Sequence, residues 1–315
     1  MPRQKPIVVV GSINIDLVSV SAKIPGVGET VLGTDFQIHP GGKGANQSVA
    51  VARLGYPVRL IGCLGSDEFG TQLRTHLQAV GVDIAGVATY EGTSGVAAIL
   101  VSEAGENSIV VTPGANAQVA PENLESNIEM IREAGIVLTQ LEIPIETVEY
   151  LAKICARERV PLILDPAPAQ ELPPSIFPQF EWFTPNETEA AFFVENGKSA
   201  TVAHNSVAIS KMLQAKGSRG VILKMGAQGV YLASLDEPGQ SVPAIPVKAV
   251  DTTAAGDAFN GGFATGLMLG KTALESAKFA AAVAGVSVTR SGAQTSMPTM
   301  NEVNELLKRA NLAAP

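Results

Sequence analysis

Short apolar runs separated by polar turns recur along the chain, and their spacing gives the first structural reading. Ile7–Val10 is a run of β-branched residues that predicts a buried strand and is too short for the apolar core of a signal peptide. From about Gly135 onward, similar runs alternate with longer segments of helical period. Strands are predicted over 136–141, 161–164, 182–184, 220–224 and 229–233, with a helix after each of the first three. This alternation predicts an α/β fold, a doubly wound and mainly parallel sheet with helices on both faces.

The early chain has a different rhythm. Residues 12–20 alternate, and the runs 96–101 and 108–112 are joined by EAGEN in the pattern of a hairpin. These segments predict a small β-sheet covering the main one, a lid of approximately residues 12–40 and 93–113 within a single domain of residues 1–315. In SINIDLV the two-residue period puts Asn14 and Asp16 on one strand face, with Ile13, Ile15 and Leu17 on the other. The polar face is either solvated or turned toward a ligand.

Two glycine-rich segments carry the candidate chemistry. In HPGGKGANQSVAVARLG, Gly41 and Gly42 precede a helix whose Ala45, Val49 and Ala52 share a stripe, and which ends at Gly55 with Pro57 beyond. Lys43 and Asn46, three apart at its start, suit hydroxyls or an anion, although the same residues also make an ordinary turn. Gly44 follows Lys43 where a P-loop needs Ser or Thr. The G-x-G-x-x-G spacing of a Rossmann-type dehydrogenase is missing as well.

In VDTTAAGDAFNGGFATGLMLG, the small residues Thr253–Gly256 lead into Asp257 at the start of a helix with Phe259, Phe263 and Leu267 on one stripe. Gly261, Gly262 and Gly266 each cost roughly 1 kcal/mol relative to Ala in a helix, so their presence predicts close packing of another backbone. The first N–H groups of such a helix attract phosphate oxygens, and a carboxylate beside them can take the proton of an attacking hydroxyl. Asp257 equally fits a plain N-cap.

Glu142, Asp165, Asn186, Gly226 and Asp251 fall just after predicted strands, on the edge where open α/β sheets bind ligands. Asn186 and Glu189 in FTPNETEA suit water-mediated contact with Mg²⁺ and phosphates, or simply cap a helix. Lys224, Gly226 and Gly229 in KMGAQG suit a nucleotide contact or a hairpin turn.

Composition narrows the partners. Of 315 residues, 46% are hydrophobic, enough for a sizeable core. The 22 basic and 30 acidic residues give a net charge of -8, which disfavours nucleic acid and anionic membrane surfaces. An anionic protein that binds an anionic nucleotide must do so locally, with helix N-termini, a few cations and metal ions. Cys63 and Cys155, isolated in apolar surroundings, fit buried thiols in the reducing cytoplasm and argue against structural zinc. No run approaches the roughly 20 apolar residues that span a bilayer.

With GGKGAN at Gly41–Asn46 and DTTAAGD at Asp251–Asp257, in that order, the chain resembles the ribokinase (PfkB-type) family of carbohydrate kinases. The resemblance runs from NID at Asn14 to VTRSGAQTSMP, which ends at Pro298. It implies an αβα domain with a β lid and in-line transfer of the ATP γ-phosphoryl group to a sugar, with the 5-hydroxyl of D-ribose as the expected acceptor. Asp257 matches the general base, and Ala254, Ala255 and Gly256 complete an anion hole at 254–257. Asn14, Asp16, Gly41, Gly42, Lys43, Asn46 and Glu142 match the sugar-binding set.

By the same resemblance, Asn186 and Glu189 match an NxxE motif linked to Mg²⁺ and phosphate, and Lys224, Gly226, Gly229 and Gly256 match nucleotide contacts. Lys224 stands where many ribokinases carry Thr, and Ala281 offers only a methyl group where some relatives place a polar residue near adenine. Asp251, Thr253, Ser287, Arg290, Gly292 and Ser296 match a K⁺ site built largely from carbonyls, with Ser287 in place of the more usual Ala. A homodimer through the lid is expected. Alternative readings are a family kinase acting on 2-deoxyribose, fructose or a nucleoside, and a non-catalytic sugar-binding regulator on the same fold.

Overall fold

In the computed structural model, which describes residues 4–194 and 206–310, the apolar run at the start of the chain becomes an inner strand of a nine-stranded sheet. The strands are β1 (Ile7–Val10), β2 (Asn14–Ser21), β3 (Gly33–Gly41), β4 (Val58–Gly65), β5 (Asp83–Tyr90), β6 (Gly95–Ser102) and β7 (Asn107–Thr112). They continue as β8 (Ile136–Thr139), β9 (Leu162–Leu164), β10 (Trp182–Phe183), β11 (Gly220–Lys224), β12 (Val230–Ser234) and β13 (Gln240–Val242). The main sheet has the order β13-β12-β11-β10-β9-β8-β1-β4-β5. It is parallel from β11 to β5 and antiparallel at β12 and β13.

β1 contributes to two cores because its side chains alternate. Ile7 and Val9 join one buried cluster, Val8 and Val10 the other. The connecting helices are α1 (Lys43–Arg53), α2 (Glu68–Ala79), α3 (Pro121–Ser126), α4 (Ile128–Glu133), α5 (Ile145–Glu158), α6 (Glu187–Val194), α7 (Ser206–Gln214), α8 (Ala255–Met268), α9 (Ala273–Ser287) and α10 (Met300–Arg309). α1, α2, α8, α9 and α10 supply the first cluster, and α3 to α7 the second. The expected doubly wound sheet with helices on both faces is therefore present.

The early chain divides between two sheets: the segments expected to form the small sheet do so, and β4 and β5, which were not picked out from the sequence, join β1 in the main sheet. VRLIGCLG in β4 is buried almost throughout, so it lacks the alternation that marks a half-buried strand. Its Gly62 packs so closely on the β1 end that a Cβ would stand 2.7 Å from the Gly11 carbonyl oxygen. The second sheet has the order β3-β2-β6-β7, with β2 antiparallel to β3 and parallel to β6. Asn14 begins β2 and is in register with both Gly41 and Gly95.

The glycines of α8 explain how that helix reaches the centre of the molecule. A Cβ on Gly261 would lie 2.7 Å from the Ala50 Cβ of α1, and one on Gly266 would lie 2.9 Å from the Ser276 Cα of α9. α8 is thus pressed between α1 and α9, as the glycine pattern predicted. This packing brings the N-termini of α1 and α8 to the carboxyl edge of the sheet.

Candidate active site

The strand order reverses direction around β1 and β8, and the crevice at such a switch point is where open α/β sheets bind ligands. The predicted strand over 136–141 stops at Thr139, so Gln140 and Glu142 leave the sheet at this crevice. Gly42 has φ 87, and a Cβ there would stand 2.6 Å from the Asn14 backbone nitrogen. At Gly44 the same atom would meet the Gly11 carbonyl carbon at 2.6 Å. The α1 N-terminus therefore rests directly on the backbone that links β1 to β2.

Glu142 reinforces that junction. Its Oε2 accepts from the Ser12 hydroxyl at 2.5 Å and from the Lys43 N–H at 3.2 Å, placing a carboxylate at the positive end of α1. Asn14 is buried, contrary to the picture of a solvated strand face. Its Oδ1 accepts from Asn116 Nδ2 at 2.7 Å, while Asn116 also accepts from Ile13 N–H at 2.9 Å. Asp16 lies against Gly41, whose missing side chain leaves room for its carboxylate. Burial, helped by Glu142 and Asp257 and opposed by Lys43, pushes Asp16 up to about 7.

Asp257 does not cap α8. The N-cap is Ala254, in the left-handed region at φ 58, and it makes no side-chain cap bond. Asp257 stands on the first turn as a buried side chain, accepting from Asn46 Nδ2 at 2.9 Å and Gln47 Nε2 at 3.1 Å. Burial pushes it up to about 6, against the lowering pull of Lys43 and those two hydrogen bonds. Burial alone would lower the Lys43 ammonium, but Asp257, Asp165, Glu142 and Glu189 outweigh it and the net shift is upward, so Lys43 stays charged.

The turn before Asp257 has the open donors of an anion site. Ala255 N–H is used by the Thr252 carbonyl at 3.1 Å, and the Ala254 carbonyl accepts from Ala258. Among the described residues the N–H groups of Ala254, Gly256 and Asp257 find no acceptor, so three of the four amides of the expected anion hole at 254–257 are open, the last two of them on α8 itself. Lys224 sits beside them, its Nζ 3.3 Å from where a Gly256 Cβ would stand. That ammonium is paired with Asp165 Oδ1 at 2.8 Å.

At the far edge, Asn186 and Glu189 form a reciprocal cap of α6. Asn186 N–H and Nδ2 donate to the two Glu189 oxygens at 2.7 and 2.9 Å, and Glu189 N–H donates back at 2.8 Å. Burial, together with nearby Asp165 and against the pull of Lys224, raises the Glu189 pKa. With both oxygens already engaged, this pair suits a hydrated Mg²⁺ rather than direct ligation. Gly226 and Gly229 have φ 52 and 89, and Gly229 packs on the Val242 carbonyl, so the hairpin itself requires that glycine.

The loops holding the expected K⁺ residues do meet. Asp251 accepts from Thr253 N–H and Gly292 N–H, both at 2.8 Å, and desolvation of its carboxyl is outweighed by these bonds, leaving its pKa below the usual range. The Ser287 and Ser296 hydroxyls bond each other at 2.8 Å, and Arg290 is paired with Glu302 at 2.9 Å. These side chains are committed to one another. Among the described residues, no group of three or more His, Cys, Asp or Glu is placed to hold a metal.

Sequence reading missed four members of this network: Ser12, Gln47, Gln140 and Asn116. Gln47 Nε2 donates to Asp165 Oδ2 at 3.0 Å as well as to Asp257, and its Oε1 accepts from Gln140 Nε2 at 2.7 Å. Position after a strand could have flagged Gln140, as it flagged Asp165. Nothing local marks Gln47 or Asn116.

A carboxylate at a helix N-terminus, open amides, and a cleft under a small sheet together define a phosphoryl-transfer site on a ribokinase-like fold. The chain belongs to the pfkB family of carbohydrate kinases, whose model matches residues 4–300. It is 43% identical to the ribokinase of Bacillus subtilis over 303 residues, 96% of this chain and 99% of that protein. The structure of Arabidopsis thaliana ribokinase complexed with ribose and ATP aligns with TM-score 0.90 and 34% identity over 97% of this chain and 99% of that one. The Thermotoga maritima ribokinase structure aligns with TM-score 0.88 and 39% identity over 96% and 99%.

Proposed function

We propose that the chain transfers the γ-phosphoryl group of ATP to the 5-hydroxyl of D-ribose, releasing ribose 5-phosphate and ADP. The observation that carries this reading is the buried Asp257 carboxylate beside the free Gly256 and Asp257 amides. As the hydroxyl oxygen attacks phosphorus, its proton passes to Asp257 while the bond from phosphorus to the ADP oxygen breaks. The two amides and the α8 dipole stabilise the charge on the transferred group. Asn14, Asp16, Gly41, Gly42, Lys43, Asn46 and Glu142 line the sugar site.

Asn186, Glu189, Lys224, Gly226, Gly229 and Gly256 form the nucleotide side. Asn186 and Glu189 would hold a hydrated Mg²⁺, which neutralises phosphate charge when bound. The loops of Asp251–Thr253 and Ser287–Ser296 would hold K⁺ through their carbonyls and so order the turn before Asp257. The second sheet acts as the lid over residues 12–40 and 93–113. Phe36, Ile38, Ile109 and Val111 remain about half exposed on β3 and β7. This apolar surface supports a homodimer in which two lids pair, and the buried thiols Cys63 and Cys155 support a cytoplasmic enzyme.

ADP production with MgATP and a panel of ribose, 2-deoxyribose, fructose and adenosine, each with and without K⁺, tests the assignment. Ribose-dependent turnover raised by K⁺ is expected. Preference for another sugar would keep the chemistry and change the substrate; ribose binding with no turnover on any sugar would make the chain a binding protein.

A further inference from the structure

Lys224 ends β11, just before the turn that begins at Gly226. Its side chain is only 13% exposed, and its ammonium stands over the first turn of α8, beside Gly256 and hence beside the two open amides of that helix. Asp165 takes one of its three N–H donors, and among the described residues no other acceptor is bonded to it. Asp165 is itself held on its other oxygen by Gln47, so the lysine is anchored through a buried chain that ends on the base.

We propose that Lys224 is a catalytic residue: its ammonium, mounted on Asp165, contacts the phosphoryl group in flight and acts with the Gly256 and Asp257 amides. The proposal rests on the phosphoryl-transfer reading above and deepens it. During transfer the new bond forms from the sugar oxygen to phosphorus, the bond to the ADP oxygen breaks, and the hydroxyl proton goes to Asp257. Lys224 remains protonated throughout, supplying charge and hydrogen bonds where the equatorial oxygens gather negative charge. An overall anionic protein needs such a local cation for this chemistry.

The rival role is purely structural, in which Lys224 only neutralises buried Asp165. Lys224→Met and the charge-neutral double variant Lys224→Met/Asp165→Asn separate the two, measured by steady-state kinetics at saturating sugar and MgATP, ADP affinity and thermal midpoint. A catalytic Lys224 predicts that both variants lose about 10²-fold in kcat, the cost of removing one such donor. The sugar KM and ADP affinity should stay near those of the unsubstituted protein, since the contact forms in the transition state. Lys224→Arg should recover part of the loss.

A double variant with restored kcat would show that the lysine merely neutralises Asp165 and would overturn the proposal. So would weakened ADP binding with unchanged kcat, which belongs to a ground-state nucleotide contact. If the unsubstituted protein turns over no sugar, the parent reading fails first, and the proposal falls with it.

Discussion

Gln47 Nε2 donates to Asp257 Oδ1 at 3.1 Å, and its second hydrogen is taken by Asp165 Oδ2 at 3.0 Å. The amide cannot turn over, because Gln140 donates to its Oε1 at 2.7 Å and a flip would set that oxygen against two carboxylates. Gln47 therefore positions the Asp257 carboxylate, the proposed base. Gln47→Met keeps the length and removes both donors. A hydrogen bond to a charged group is worth about 1.5 kcal/mol or more, and one pK unit corresponds to about 1.4 kcal/mol. The acid limb of kcat/KM should accordingly move up by roughly one pH unit. An unmoved pH profile would restrict Gln47 to a packing role.

The unsubstituted protein should itself show an acid limb above the ordinary carboxylate range. Burial raises Asp257 to about 6, so the protonated, inactive form persists to higher pH than for an exposed Asp. Activity is then lost as pH falls through about 6, by about tenfold per unit once Asp257 is mostly protonated. Asp16, raised to about 7, adds to the fall if its ionised form grips the sugar. A kcat/KM profile against pH, with a flat response down to 5, would remove Asp257 from the role of base.

Asp257→Ala leaves the proposed sugar-lining residues in place. Sugar affinity should be largely kept while kcat drops by about 10²-fold or more, the usual contribution of a general base. Equilibrium ribose binding beside turnover rates reads both quantities. Comparable losses in each would mean that Asp257 binds rather than activates.

The legible parts of the molecule were those written in neighbouring residues. β1 announced itself by four adjacent β-branched side chains, α1 by its flanking glycines, and the crowding around α8 by Gly261, Gly262 and Gly266. Asp257 stood out because small residues and a helix start surround it. What stayed hidden depends on contacts between distant segments. β4 is buried on both faces and so shows no alternation. Gln47 reaches Asp165 across 118 residues, and Asn116 reaches Ile13 across 103. In each case an ordinary amide side chain becomes informative only once folding supplies its partner.

The contact between α1 and the end of β1 leaves no room for a methyl group. In Gly44→Ala the new Cβ would meet the Gly11 carbonyl carbon at 2.6 Å and the Ser12 nitrogen at 2.7 Å, both backbone atoms that cannot swing aside. α1 must shift, at a cost of about 1–3 kcal/mol, and with it Lys43, Asn46 and Gln47. Gly266→Ala, facing the Ser276 Cα at 2.9 Å, disturbs α8 against α9 well away from those residues. Both should lower the thermal midpoint, but only Gly44→Ala should also reduce kcat/KM severalfold. Equal kinetic effects would deny the α1 junction its special place.

Asn116 joins the lid to the sheet where the chain passes from β1 into β2. Its Oδ1 accepts from Ile13 N–H, and its Nδ2 donates to the Ile13 carbonyl at 3.2 Å and to Asn14 Oδ1 at 2.7 Å. Asn116→Ala strands these buried groups, a loss of about 1–3 kcal/mol, and frees Asn14 to leave the place proposed for it in the sugar site. Asn116→Asp should be worse. It places an oxygen against two acceptors that previously received a donor, and like-charged partial dipoles in a dry site repel strongly. The expected order for the sugar KM is unsubstituted protein, then Ala, then Asp, with kcat changing less than KM because Asp257 is not displaced. Thermal melts run in parallel should give the same order of stability. An Asp variant that outperforms Ala would mean that water enters the junction and that Asn116 does not hold Asn14.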